Sequence, residues 1–558
     1  MFRLPFSFSV AVGLLVFQYS SLETVASPCR IASTHLLRGQ ASLEQGQNEE
    51  ARQEFEQAVR LDPACADARY LLGLSFWNLG RFEEASTSLQ KTLELDRNYA
   101  LAEYYLGRVS LRAERTENAI QSFERVVSLG HGRPFLDEYF QLGKAYLSLN
   151  RMADAVRILE AGTQIQPRDD RLYSQLGRAY LSLGRREDAE RALARSQELR
   201  DYQREATSRL LQGSELLKAG ELDKVLPIYQ WFLQSEDVDD LISLGIQFSQ
   251  HQLPEQATQL LSKALRLSPD IFEAHYNLGL MMFRMNRLEE AAIHLKKAIS
   301  LRPHSLQAGS VLGVLFAQTG KTDEAIEVLQ RVRILKPDDR KVVTLLGLQL
   351  TEGRYYTEAI NLLEESIKQF PADLDLRLLL IQNYHRDRKY EKAVQTAQQT
   401  VQAFPDSARA NFELGYQLSA FGRFKESRTY LEKAIRLDPD PPEPYASLGD
   451  LLVKEGSPER AIGYFRQALE REPNHVDSYL GLAKSLLALK RYREVVEEMS
   501  KVLQIDPANP QPHFHLSQAF LGMGDKQKAE EEAATFKRLN EQRMLQRDQE
   551  SGREFPGR

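Results

Sequence analysis

A glycine recurs every thirty-four residues along most of the chain, at Gly39, Gly73, Gly245, Gly279, Gly313, Gly347, Gly415 and Gly449 among others, and an alanine follows twelve residues after nearly all of them. A fixed period of this length means one supersecondary unit copied and stacked, because a single copy is too small to bury its own apolar face. With position 1 set seven residues before the glycine, fifteen repeats align. They begin at Ala32, Ala66, Ala100, Leu136, Asp170, Ala206, Val238, Phe272, Leu306, Arg340, Leu374, Ala408, Pro442, Val476 and Pro510. Position 8 is Gly in twelve repeats, the exceptions being Ile381, Ala483 and Ser517, and position 20 is Ala in twelve, the exceptions being Val225, Ser427 and Val495.

The rest of the lattice reads as a helical hairpin. Apolar residues at positions 4, 7, 8 and 11, and again at 20, 24 and 27, follow helical spacing and predict two amphipathic helices with facing stripes. Small residues at 8 and 20 allow two backbones to approach, and position 24 is bulky and apolar in most repeats, as at Phe55, Phe123, Leu295 and Phe465. Gly80, Gly220 and Asn286 at position 15 suit a left-handed cap on the first helix. Acidic residues such as Glu83, Glu84, Glu289 and Glu290 then open the second helix against its dipole. Proline at position 32, unbroken from Pro269 to Pro507, closes the repeat.

With a small residue at 8, a large one at 11, Ala at 20, an aromatic or Leu at 24, Ala at 27 and Pro at 32, the chain resembles the tetratricopeptide repeat (TPR) family. Gly279, Met282, Ala291, Leu295, Ala298 and Pro303 make one near-complete match, and Gly449, Leu452, Ala461, Phe465, Ala468 and Pro473 another. The resemblance covers about residues 32–543. It implies an all-α, right-handed superhelical solenoid of about fifteen helix-turn-helix repeats. Position 4 departs from the family's Trp, and the repeat at 206–237 is poor, with Val225, Pro227 and Phe232 at or near sites usually small.

In that family the first helices line a concave face, with positions 2, 5, 9, 12 and 13 pointing into it. Carried over, this gives a column of cations at position 9, Arg108, Lys144 and Arg178, beside Tyr70, Tyr104 and Phe140 at position 5. Position 9 then becomes apolar at Ile246, Leu280, Val314 and Leu348, with Tyr276 and Phe283 nearby. The expected occupant is a protein or peptide partner, its acidic part near the cations and its apolar anchors on the second column. The family's asparagine ladder needs Asn at position 6 in successive repeats, and Asn277 stands beside Ser243, Val311 and Leu345.

Before the lattice, Arg3 precedes an apolar stretch from Leu4 to Phe17, and polar residues lead to Ala26. This reads as a signal peptide over 1–26, short for a membrane span, with an uncleaved anchor as the alternative and the membrane a partner only in that case. The expected location is outside the cytoplasm, in a bacterial periplasm, or else secreted or anchored. Cys29 and Cys65 flank the first hairpin. They are read either as a disulfide closing it or as two unrelated thiols.

The spacing slips around His131–Pro134 and again around the repeat at 206–237; the second slip is read either as a joint between two sub-arrays, 32–203 and 206–543, or as ordinary degeneracy of the repeats, and a disordered polar tail is expected at 544–558. No proline occurs between Arg186 and Ala219, so a long or lightly kinked helix is expected to join repeats five and six.

A net charge of −6 on 558 residues argues against a nucleic-acid-binding surface. No glycine-rich phosphate loop, nucleophile elbow or His-Glu-x-x-His run occurs, and the histidines are scattered. The expectation is a non-catalytic protein-binding scaffold with no cofactor and no metal. The alternatives are a structural part of an envelope polysaccharide or protein export assembly and, more remotely, an accessory to glycosyl transfer.

Overall fold

The computed structural model describes Cys29, residues 31–130 and residues 137–551. The expected signal peptide and most of the wider loop around His131 lie outside the described residues. What is described consists of twenty-nine helices with no strand among them. Fifteen hairpins would give thirty. One is lost because the second helix of repeat five and the first of repeat six are a single helix, Arg186–Ala219.

Repeat eight shows how the lattice becomes structure. Its helices, Phe272–Arg284 and Leu288–Leu301, face each other through Gly279, where a Cβ would come within 2.7 Å of Leu295 Cγ. Leu295, Ala291 and Ala298 are fully buried. Repeat thirteen uses the same device, with Phe465 fully buried against Gly449. Repeat six lacks it: the nearest atom to a Cβ on Gly213 is 3.7 Å away, and Pro227 sits inside the helix Leu222–Gln234. There the core is made instead by Val225, Ile228, Tyr229 and Phe232, and Tyr202 stacks on Trp231 at 5.4 Å.

Turns follow two rules, one of them beyond what the sequence suggested. Position 15 has positive φ in every repeat. Besides glycine and asparagine, Glu114, Gln252, Arg354, Arg388 and Lys490 adopt it, at φ of 57° to 63°. A left-handed non-glycine residue costs about 1–2 kcal/mol, so hairpin packing overrides local preference at these five places. The second rule accounts for the missing Trp at position 4. In several repeats that residue hydrogen-bonds the carbonyl of the proline that closes the preceding repeat: Arg69 to Pro63 at 2.9 Å, Tyr173 to Pro167 at 3.3 Å, Asn411 to Pro405 at 3.0 Å and Tyr445 to Pro439 at 3.2 Å. Several first helices are also N-capped by the residue just before the repeat. Asp237, Ser305, Asp339, Asp373 and Ser407 accept from backbone amides there.

The described residues fall into two compact units, one reaching Gly320 and including Val328–Pro337, the other made of Lys321–Glu327 and the chain from Asp338 onward. The joint expected at 203/206 therefore lies inside the first unit, where Arg186–Ala219 runs unbroken across it. Within that unit, Glu44 lies 3.2 Å from His304, and Arg38 donates to the Ile334 carbonyl at 2.7 Å. Repeat one thus meets repeats eight and nine. The Cys29 and Cys65 sulfurs are bonded, with the Cα atoms 5.1 Å apart and both residues buried. At the other end the last helix runs from Lys526 to Ser551, so residues 544–551 continue it rather than begin a disordered tail. Their Glu, Gln, Arg, Met and Leu are good helix formers.

Candidate protein-binding surfaces

Repeats three to five place the expected cation column on the first helices, with Tyr70 in repeat two before it, but the side chains have unequal freedom. Tyr70 and Tyr104 are 3% and 1% exposed, so they pack the core and offer nothing to a partner. The Tyr70 ring lies 5.0 Å from Tyr99, and Tyr104 contacts Tyr105 and Phe123. The Tyr104 hydroxyl donates to Asp137 Oδ1 at 2.6 Å, and Arg108 Nη1 donates to that hydroxyl at 2.8 Å. Arg108 also lies over Trp77, 5.4 Å from the ring centre. Burial works against its charge, yet the Tyr104 oxygen and the Asp137 carboxylate outweigh it and hold the guanidinium above its usual range. Arg108 is thus committed inside the array. Phe140 is half-buried, with the Arg171 guanidinium 4.8 Å over its ring.

Lys144 and Arg178 differ. Both are exposed, and among the described residues neither is in an ion pair. Of the three cations in the column these two are exposed and outside any ion pair among the described residues, whereas Arg171 is exposed but paired to Asp169 at 2.7 Å.

Farther along the first compact unit, Ile246, Leu280 and Val314 are partly exposed at position 9 of successive first helices. Tyr276 and Phe283 are half-buried beside them, Tyr276 stacking on Phe272 at 5.8 Å. Leu348 is 42% exposed and belongs to the second unit. The amide of Asn277, at the ladder position, donates to the Glu273 carbonyl of its own helix at 2.8 Å.

Family models described as tetratricopeptide repeat match residues 36–85, 70–134, 243–306 and 447–510, a second such model residues 146–201, 283–348 and 352–412, and a third residues 408–441. The chain belongs to the tetratricopeptide repeat family. TPR arrays are typical scaffolds of protein–protein interaction and are generally non-enzymatic. Among solved structures, the crystal structure of MamA is 25% identical, spans 30% of this chain and 96% of its own, and has a TM-score of 0.28. The APC/C hetero-tetramer Cut9-Hcn1 is 13% identical over 92% of this chain and 95% of that one, with a TM-score of 0.37. A tetratricopeptide repeat protein from Parabacteroides merdae is 17% identical over 45% of this chain and 98% of its own, with a TM-score of 0.34. No curated protein matches the chain.

One feature of the TPR array had no counterpart among the expected site residues. Repeats eleven to thirteen line a half-open cavity of about 300 Å³ next to an aromatic run in which Tyr416 and Tyr390 are 43% and 40% exposed. The available signal was Glu413 at the ladder position, followed by the prolines 439, 441, 442 and 444. No group of three His, Cys, Asp or Glu residues that could hold a metal occurs among the described residues.

Proposed function

We propose that this chain is an exported, non-catalytic scaffold that holds protein or peptide partners on its first-helix faces. The observation that carries the reading is the run of partly exposed apolar side chains at Ile246, Leu280 and Val314, three successive repeats at one position. Contiguous apolar side chains left accessible on a rigid array suit the anchors of a partner, and rigidity lowers the cost of binding. The exposed Lys144 and Arg178 would draw acidic partner segments toward the same helices. Export is supported by the Cys29–Cys65 disulfide, since such bonds persist in oxidising compartments. Among the described residues no helix is long and apolar enough to cross a membrane.

The test is the double variant Leu280→Asp with Val314→Asp. Co-purification of partners from the native envelope should fall at least tenfold while circular dichroism stays helical. Unchanged recovery by a folded variant would remove the apolar face from the mechanism.

A further inference from the structure

The cavity in repeats eleven to thirteen lies wholly in the second compact unit and has a built electrostatic character. Three carboxylates line it, Glu413, Asp438 and Glu443, against one cation, Arg409. Arg409 is already spent, its Nη1 lying 2.9 Å from Asp375 Oδ1. Among the described residues none of the three lining carboxylates is in an ion pair. Glu413 is the deepest, 7% exposed on the helix Ala408–Ala420, and its Oε1 accepts one hydrogen bond, from Gln417 Nε2 at 2.7 Å. Burial holds its carboxyl above the usual range, and the Gln417 bond opposes this only in part. A carboxyl kept dry without a counter-ion is costly, so a cation entering the cavity would relieve it.

The walls narrow the choice of cation. Phe412 precedes Glu413 and forms one side, with Tyr416 one turn on, its ring centre 6.3 Å from that of Phe412. Tyr416 in turn lies 5.5 Å from His385. Gln382 adds an amide to the lining. At about 300 Å³ the space is at the lower end for a ligand pocket, which favours one side chain over a whole metabolite. A flat guanidinium can stack on an aromatic ring while giving two parallel hydrogen bonds to a carboxylate; an ammonium cannot do both.

We propose that this cavity receives an arginine side chain of a peptide partner, with Glu413 as its buried counter-ion and Phe412 as the stacking wall. The proposal rests on the partner-binding function above and adds a recognition element to it. Asp438 and Glu443 add to the negative charge of the lining, so an acidic segment is repelled here, whereas Lys144 and Arg178 attract one.

The experiment uses the full chain and two short acetylated peptides, alanine-rich and alike except that one carries arginine and the other citrulline, which keeps the shape without the charge. Ligand-observed NMR measures both affinities. The arginine peptide should bind at least tenfold more tightly. Glu413→Gln should bring it to the citrulline level, and Phe412→Leu should weaken it several-fold, with helical content unchanged. Equal binding of the two peptides by the native chain, no detectable binding of either, or an arginine preference that survives Glu413→Gln would each overturn the proposal. Should Glu413→Gln not fold, Phe412→Leu stands in for it, and an arginine preference undiminished in that variant counts equally against the pocket. Equal binding of the two peptides by the native chain, with partner recovery intact and dependent on Leu280 and Val314, would sink the pocket and leave the scaffold standing.

Discussion

In repeats three to five the carboxylate of Asp137 is surrounded: Tyr104 donates to it at 2.6 Å, Gln141 at 2.9 Å, and Arg171 stands 3.5 Å away. In repeats eleven to thirteen the carboxylate of Glu413 has one amide donor and a cavity. Both regions are the same hairpin in the same family, and both set charge on first helices. What differs is whether the array satisfies that charge itself. Where it does, as with Arg108, a charged residue at a groove position is a packing element. Where it does not, as with the exposed Lys144 and Arg178 and with Glu413, whose one donor is the neutral Gln417 amide, the charge has no ion-pair partner among the described residues.

The comparison can be broken most forcefully at Tyr104. If this ring is structural, Tyr104→Ala should destabilise repeats three and four by about 3–5 kcal/mol, the cost of removing a buried aromatic. Because neighbour contacts dominate in such arrays, hydrogen exchange should show the loss there and leave repeats eleven to thirteen unchanged. A variant with native protection throughout would return Tyr104 to the list of partner contacts.

Glu138 gives the next largest effect. Burial pushes its carboxyl up to about 7, opposed by its own backbone hydrogen bond and helped by the Asp137 charge. The folded state therefore holds a proton that the unfolded state releases near pH 4.5. Its stabilising effect is complete below that pH and is lost as pH rises toward 7, a difference of roughly 3 kcal/mol. Denaturant midpoints of repeats three to five should fall across that window in the native chain, and Glu138→Gln should flatten the profile. A flat native profile would mean that the acid is not kept neutral.

The smallest effect on stability belongs to the exposed cations. Lys144→Glu with Arg178→Glu should change folding by no more than about 0.5 kcal/mol, as surface substitutions do. Association with an acidic partner should nonetheless slow several-fold at low salt, read by stopped-flow kinetics. An association rate insensitive to both the variant and the salt would show that these cations are only a solvated face.

The fold was legible because its devices are periodic. Gly279 against Leu295 and Gly449 against Phe465 repeat at one spacing, and proline at position 32 marks most closures. The five left-handed residues led by Glu114 were not legible, since the packed hairpin imposes a conformation that their side chains disfavour. The surface was harder. The family resemblance placed Tyr70, Tyr104 and Arg108 at groove positions, but it did not show the neighbours Tyr99, Asp137 and Trp77 that bury or bind them. The cavity beside Glu413 was hidden for the same reason. Its charge excess appears only once Glu413, Asp438 and Glu443 are seen to line one cavity, with Arg409 paired to Asp375 of the preceding repeat.

The central claim is that partners meet the first helices rather than the second. The most direct measurement is photocrosslinking in the native envelope, with p-benzoylphenylalanine placed at Leu280 on a first helix or at Ile293 on the second helix of the same repeat. Ile293 is the more accessible site, at 66% exposed, so access alone would favour it. The account predicts a discrete adduct from Leu280 and none from Ile293; adducts of equal yield from both, or from Ile293 alone, would contradict it.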